Sequence, residues 1–187
     1  MKYFYKLLIL ALIVFIGYGI YGQVNKNSPK ASRLSCQKNT IFFERVLDKD
    51  MIKKTQIEFQ DSHYVFTISK EESKYMKSRL FQYVDIDEVK NYFLLSSKTT
   101  INTNLKPEDG VIDISLHIYE NDKNDPGKKT KKSKLYAGYI ILGVKTKIDG
   151  RNHAIYRAQV DFMDLEGKDI HKRIDCLIKS FMSLDNL

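Results

Sequence analysis

The stretch VIDISLHIY, residues 111–119, carries the clearest secondary-structure signal in this chain of 187 residues. Its apolar residues alternate with polar ones, and they are Ile112, Ile114, Leu116 and Ile118. Successive side chains of a strand point to opposite faces of a sheet, so a spacing of two predicts a strand with one buried face. We therefore expect this stretch to lie within a sheet whose other face contacts solvent.

Aromatic and β-branched runs of the same kind recur on both sides of this stretch. Twelve Tyr and ten Phe against three Pro and nine Gly agree with a β-rich globular domain. The further predicted strands are residues 40–47, 55–60, 64–68, 75–84, 92–101, 135–148 and 155–163. Two interpretations stay open for residues 75–84, which also fit a short helix, and residues 135–148 are long enough for two strands or one bent at Gly143.

The segment KDIHKRIDCLIKSF, residues 168–181, fits both a helix and a strand. A helix would align five apolar residues, which are Ile170, Ile174, Leu177, Ile178 and Phe181. A strand would align four, which are Ile170, Ile174, Cys176 and Ile178. We prefer the strand because residues 164–167, DLEG, form a plausible hairpin turn before it. The chain as a whole then predicts a mostly β fold, in which an antiparallel sheet closes into a barrel or sandwich.

A hydrophobic leader precedes this domain. Residues 7–22 contain no charge, and aromatic residues flank the run at both ends. About 20 apolar residues span a bilayer, whereas a secretory signal needs only 7–15, so an uncleaved anchor and a cleaved signal peptide both fit. We predict an anchor over residues 1–24, a linker over 25–35 and a domain over 36–187. Basic residues flank the run almost equally, so they do not decide its orientation.

The chain contains two cysteines, Cys36 and Cys176, near the two ends of the predicted domain. A single disulfide between them would close nearly the whole domain, as is typical of proteins in oxidising compartments. The alternative is a pair of unrelated buried thiols. We predict the disulfide, and with it an extracytoplasmic domain whose first and last segments are neighbours.

The net charge of +8 is concentrated in one segment, NDKNDPGKKTKKSK, residues 121–134, which carries +4. Such a run is typical of a solvated loop, and contact with anionic lipid or an acidic partner is its functional alternative. Without interleaved aromatic residues the run lacks stacking platforms for nucleic acid, which we do not expect as a partner. The predicted basic loop consists of Lys128, Lys129, Lys131, Lys132 and Lys134.

No catalytic or metal-binding motif is recognisable. DKNDPG, from Asp122, resembles the start of a calcium loop, but Pro126 and Ser133 occupy positions that need oxygen ligands. The four histidines occur singly, without metal-ligand spacing, and no nucleophile elbow or nucleotide fingerprint is present. We predict neither enzymatic activity nor a cofactor.

The layout resembles a known family. A short tail, one hydrophobic span, a polar linker, then LSCQKNTIFF at residues 34–43, NYFLLSSKTTINTNLKPED at residues 91–109 and a cysteine near the end are similar to FidL-like and ToxS-like accessory proteins of bacterial inner membranes. The resemblance implies a periplasmic β domain that associates with a membrane-spanning ToxR-like transcription factor. In some relatives the paired domains form a lipocalin-like barrel that holds a bile-salt-like ligand.

We therefore predict a single-pass inner-membrane protein that acts by contact with a single-span transcriptional regulator, because a tether confines both to one plane. An exposed strand edge or the open mouth of a barrel would form the contact. A small amphipathic ligand would occupy an apolar cavity lined by Tyr64, Phe66, Ile114, Leu116, Tyr139 and Phe162. The alternative is an independent periplasmic or secreted domain with a role in envelope binding or assembly.

Overall fold

A computed structural model describes residues 33–101, 105 and 110–184 of the chain, apart from the side chain of Lys132. Leu34–Leu187 forms one compact unit. Within the described residues, none of the helices is long and apolar enough to cross a membrane. The predicted anchor and most of the predicted linker lie outside the described residues.

The centre of the unit is a mixed five-stranded sheet. Its strands are β1 (Phe42–Val46), β2 (Tyr64–Glu71), β3 (Ile112–Glu120), β4 (Gly138–Ile148) and β5 (Arg151–Phe162). The order across the sheet is β1-β5-β4-β3-β2, so β1 and β2 are its edges. Only the pair β2–β3 is parallel, and the other three pairs are antiparallel.

In the part of the chain that the structure describes, three α-helices accompany the sheet. They are α1 (Ile52–Gln60), α2 (Ile86–Ser97) and α3 (Ile170–Met182). Helix α2 lies in the connection between the parallel strands β2 and β3, as such pairs require a crossover. Short 3-10 turns occur at Ser35–Gln37, Leu80–Gln82 and Lys132–Lys134.

One face of the sheet forms the core with all three helices. Phe59 of α1 lies between the rings of Tyr64, Phe93 and Phe181, at centroid distances of 5.2, 6.0 and 5.8 Å. Burial alternates strictly along β3 and along most of β4, so every second side chain points into this core. The remaining side chains of these strands line the opposite face and are half-buried.

The sequence patterns correctly predicted the strands at 42–46, 64–71, 112–120, 138–148 and 151–162, apart from their ends. The long run before residue 149 is one strand. The prediction of a mostly β domain closed into an antiparallel barrel or sandwich is wrong in its detail. The described residues form an open mixed sheet with helices on one face, and about 30% of them are helical against 31% in strands.

Three predicted strands account for this difference. Residues 55–60 belong to α1, where Ile52, Thr55, Gln56 and Phe59 are buried at helical spacing. Residues 92–97 belong to α2. The segment after residue 169 is α3, whose buried residues include all five apolar positions of the helical alternative. The DLEG turn exists, with Gly167 N donating to Asp164 O at 3.0 Å, but it leads into this helix.

Helix α2 begins directly after Asp85, whose side chain caps its first turn. The side chain of Asp85 accepts a hydrogen bond from Asp87 N at 2.7 Å, and Asp87 and Glu88 occupy the first turn. A side-chain oxygen at this position pairs an N–H group that the first turn leaves without a partner, and acidic residues there are favoured by the helix dipole. Residues 75–84, predicted as a strand or a short helix, contain only the short turn Leu80–Gln82.

Candidate protein-interaction surface

The edge strand β1 presents apolar side chains to solvent. It pairs with β5 and with no other strand of the described residues. Every second residue along it and its flanks is exposed, and three of these are large and apolar: Ile41 (46% exposed), Phe43 (61%) and Leu47 (44%). We call these three residues the β1 row. Arg45, between Phe43 and Leu47, is the only charged residue among these exposed positions.

The opposite edge, β2, differs in chemistry. Its residues on the open face are Val65, Thr67, Ser69 and Glu71, of which Thr67 and Ser69 are exposed. Polar and charged side chains are the usual protection of an unpaired strand against pairing with other chains. Among the exposed positions of β1 and its flanks, only Arg45 gives such protection, so this edge is suited to contact with another protein.

Between the edges, the open face carries stacked aromatic rings and polar pairs. Tyr119 and Tyr139 stack at a centroid distance of 4.4 Å. Burial, and then the nearby Tyr119 and Glu71, raise the pKa of Tyr139 to about 12, so its hydroxyl stays protonated at alkaline pH values where an ordinary tyrosine ionises. Lys145 Nζ lies 3.3 Å from Asp113 Oδ2 on the neighbouring strand.

A serine, a histidine and a glutamate meet on this face, which the sequence did not indicate. His117 Nδ1 lies 2.9 Å from Ser69 Oγ, and its Nε2 lies 3.6 Å from Glu71 Oε2. These residues occupy parallel neighbours β2 and β3, a pairing that sequence spacing does not reveal. All three are at least partly exposed, so water competes for each contact, and we interpret the group as a surface hydrogen-bonding cluster.

The predicted disulfide is present. Cys36 and Cys176 are bonded, with their Cα atoms 5.7 Å apart across a sequence separation of 140. The bond joins the Ser35–Gln37 turn to the middle of α3. Beside it, Gln37 Nε2 donates to Ser180 Oγ at 2.9 Å, and Ser180 Oγ donates to Glu44 Oε1 of β1. The start of the domain is therefore fixed to its last helix and, through Glu44, to the edge strand.

The six residues predicted to line an apolar cavity do not share one site. Five of them belong to the helix-covered core or pack against it, and they are Tyr64, Phe66, Ile114, Leu116 and Phe162. Tyr139 lies on the open face, because β4 points its even-numbered residues into the core. One cavity cannot be lined by all six, and a ligand site among the other five stays a prediction.

The predicted basic residues lie in the connection between β3 and β4. Lys129, Lys131 and Lys134 are exposed, whereas the side chain of Lys132 lies outside the described part of the structure. Lys128 is half-buried, with its Nζ 5.7 Å from the ring centroids of Tyr119 and Tyr136. Burial lowers the pKa of Lys128, against the opposing effect of nearby aspartates. Lys128 is therefore part of the loop's internal packing.

Two buried carboxylates hold the loops at this end of the sheet. Glu120, only 2% exposed, accepts hydrogen bonds from Arg79 N at 2.8 Å, Leu80 N at 3.0 Å and Ser73 N at 3.1 Å. Burial alone would raise the pKa of Glu120, but these backbone donors outweigh it and the pKa is lowered. The charge is thus stabilised inside the protein by oriented N–H groups.

Asp122 acts in the same way on the neighbouring segment. It is 3% exposed and accepts from Lys74 N at 2.6 Å and Tyr75 N at 2.5 Å. Burial opposes the charge, yet the backbone donors lower the pKa of Asp122 overall. The hydrogen bonds of both carboxylates therefore hold the loops of this protein in place.

Comparisons of this chain with protein-family models, curated proteins and solved structures find no significant match. Among the described residues, no group of three or more His, Cys, Asp or Glu side chains is arranged to hold a metal ion. The resemblance to FidL-like and ToxS-like proteins stays a prediction from sequence layout. The β1 row is the feature of the described surface that we take as the candidate functional site.

Proposed function

We propose that this protein is a single-pass inner-membrane accessory protein, with its domain in the periplasm, that binds and modulates the extracytoplasmic domain of a ToxR-like transcriptional regulator. The observation that carries the proposal is the exposed apolar row on the β1 edge, where Arg45 is the one exposed charged side chain between Ile41 and Leu47. A strand of the regulator would pair with the free edge of β1 and cover Phe43. The disulfide supports the compartment, since such bonds persist in oxidising environments.

Covering Phe43 can contribute substantially to the free energy of binding. A buried aromatic side chain removes about 200 Å² from water, and Phe43 exposes 61% of its surface. Covering that exposed part is worth about 3 kcal/mol at 25 cal/mol per Å², or roughly a hundredfold in affinity. Ordering of side chains at the contact reduces this figure.

The test is recovery of the regulator from membranes of cells that co-express both full-length proteins. Phe43→Lys should strongly reduce recovery, because lysine both removes apolar area and protects a strand edge. Leu95→Lys is the matched control, since Leu95 is 77% exposed on α2, away from β1. A reporter gene under the regulator should respond to the wild type and to the Leu95 variant, but not to the Phe43 variant.

Equal recovery with both variants would contradict the proposed use of β1. No recovery of the regulator with the wild type, and an unchanged reporter, would favour the alternative of an independent extracytoplasmic domain. The compartment is tested separately by a periplasm-dependent reporter fused after residue 187. Activity of a cytoplasm-dependent reporter at that position would contradict the proposed topology.

A further inference from the structure

Two basic loops are held together at one end of the sheet. The first follows β2 and comprises residues 72–79, and the second joins β3 to β4 and comprises residues 121–137. We call them the 70s loop and the lysine loop. Asp122 of the lysine loop accepts hydrogen bonds from two backbone N–H groups of the 70s loop, and Glu120 at the end of β3 accepts from two more. The loops are therefore neighbours with fixed backbones.

The lysine loop is also fixed internally. Asn121 is fully buried and donates through Nδ2 to Tyr136 O at 2.8 Å and Ser133 O at 3.1 Å. Its Oδ1 accepts a hydrogen bond from Lys128 Nζ. Asn121 thus bridges the beginning and the end of the lysine loop, so the charges on it are presented from an ordered platform.

These loops carry most of the chain's net charge. Residues 72–79 contain three basic residues and one acidic residue, and residues 121–134 contain six lysines and two aspartates. The respective net charges of +2 and +4 amount to +6 of the chain's +8. Six of the basic side chains are exposed: Lys74, Lys77, Arg79, Lys129, Lys131 and Lys134.

Large apolar side chains are exposed among these cations. Tyr75 in the 70s loop is 60% exposed, and Leu135 in the lysine loop is 69% exposed. Cations mixed with aromatic and leucine side chains are typical of surfaces that rest in a membrane interface, where the cations meet headgroups and the apolar groups enter below them. Neither an acidic protein surface nor a solvated loop accounts for both kinds of side chain as directly.

The linker allows the two loops to reach a membrane. The uncharged leader run ends at Gly22 and the compact unit begins at Leu34. The eleven residues between them span at most about 40 Å when fully extended. A domain tethered this closely has its surface held near anionic lipid at high effective concentration.

We propose that the 70s loop and the lysine loop bind the anionic headgroups of the membrane in which residues 7–22 are anchored. This inference rests on the anchoring step of the proposed function, but not on the regulator. Binding would give the domain one preferred orientation on the bilayer. Because it depends on exposed charges, added salt should weaken it as the screening length falls.

The absence of tryptophan from the sequence makes the test direct. Tyr75→Trp and Leu135→Trp each place a single tryptophan in the full-length chain as the reporter. Ile148→Trp is the matched control, because Ile148 is 44% exposed at the end of β4, which lies at the opposite end of the sheet. The chains are reconstituted in phosphatidylcholine vesicles with and without phosphatidylglycerol, and quenching by brominated lipids is measured.

We expect quenching of the reporters at 75 and 135 in vesicles that contain phosphatidylglycerol, and loss of it in high salt or without that lipid. Charge reversal in the lysine loop should abolish the quenching, using the variant Lys129→Glu, Lys131→Glu, Lys134→Glu. Reversal of three exposed lysines elsewhere should preserve it, using Lys49→Glu, Lys53→Glu, Lys172→Glu. Both triple variants change the net charge equally.

Equal quenching at residue 148, or no quenching at 75 and 135, would overturn the inference. Quenching that ignores phosphatidylglycerol and salt would overturn it too, since apolar docking alone would then be responsible. If charge reversal lowers recovery of the regulator and leaves quenching unchanged, the lysine loop binds protein instead. A chain found outside the vesicle fraction refutes the anchor, whereas failed recovery of the regulator with position-dependent quenching refutes only the regulator contact.

Discussion

The disulfide should supply a large share of the domain's stability, and Cys36→Ala is the cleanest way to remove it. Cys36 is half-buried in a short turn, whereas Cys176 is 1% exposed in the core side of α3. Serine at position 176 would add the cost of a buried hydroxyl to the loss of the bond. Alanine at position 36 leaves a buried thiol, which behaves as a small hydrophobic group.

The size of the effect depends on the length of chain that the bond closes. In the chain-entropy model, closing a loop of 140 residues lowers the conformational entropy of the unfolded state, which destabilises that state by about 5 kcal/mol at 25 °C. Residual structure in the unfolded state lowers this value, and removal of native disulfides typically costs about 2–5 kcal/mol. With a urea slope of about 2 kcal/mol per M, the unfolding midpoint should fall by about 1–2.5 M.

The assay is urea unfolding of the full-length chain in detergent, followed by circular dichroism with and without a reductant. Reduction should bring the wild type close to Cys36→Ala, while the variant should not respond. The double variant Cys36→Ala, Cys176→Ala separates the crosslink from packing at position 176. Two results would refute the reasoning: a wild-type midpoint that reductant leaves unchanged, or a double variant far less stable than the single one.

Two further predictions concern the buried end of β3 and its neighbour. Glu120→Gln should cost about 3 kcal/mol, because an amide nitrogen replaces an oxygen that accepts backbone hydrogen bonds. Folding lowers the pKa of Glu120, so the contribution of its charge to the free energy of unfolding is complete above the unfolded pKa near 4.5 and disappears as pH falls through the folded pKa. The free energy of unfolding of the variant should therefore depend less on pH in this acidic range. Gly138→Ala should destabilise by about 1–3 kcal/mol or more, since a Cβ would lie 2.2 Å from Tyr119 O and 2.3 Å from the Phe162 ring. Gly143→Ala, where the nearest atom is a serine hydroxyl, should cost less in the same thermal melt, and equal costs would contradict the steric argument.

The strands and the disulfide were predictable because their signals are local or limited by count. Strand β3 is paired on both sides and covered on one face, so its side chains alternate between buried and half-buried along all nine residues. Two cysteines allow only one intramolecular bond. Neither conclusion required knowledge of the tertiary contacts.

Helix α2 was missed because composition outweighed its capping signal, and α3 was missed because the turn before it outweighed its apolar spacing. The run Asn91-Tyr92-Phe93-Leu94-Leu95 reads as a strand by composition, yet Asp85 followed by two acidic residues was a helix start signal that precedes it. In α3 the helical interpretation aligned five apolar residues and the strand only four. The DLEG turn was our evidence for a strand after it, and that inference was wrong. A turn fixes where a strand ends and leaves the next segment free to be a helix or a strand.

For the buried carboxylate of Glu120, the sequence could have predicted the inward position but not the hydrogen-bond partners. Glu120 continues the inward positions of β3, so an acidic residue pointing into the core could have been noticed from parity alone. Its partners could not, because Ser73, Arg79 and Leu80 come from a loop about 40 residues earlier in the chain. The same parity argument on β4 would have excluded Tyr139 from a cavity shared with core residues.

The architecture also limits how the proposed ligand could be bound. In a barrel, one face of the sheet becomes the interior, but here the face that carries Ile114 and Leu116 is occupied by packed helices. Opening a ligand cavity there would separate Phe59 and Phe93 from the sheet, at a cost of several kcal/mol for each large core side chain. Within our proposal, an amphipathic ligand avoids this cost by binding where the regulator meets the open face or the β1 row, and its binding should then require both proteins. Ligand binding to this chain alone, measured by calorimetry without the regulator, would contradict that conclusion.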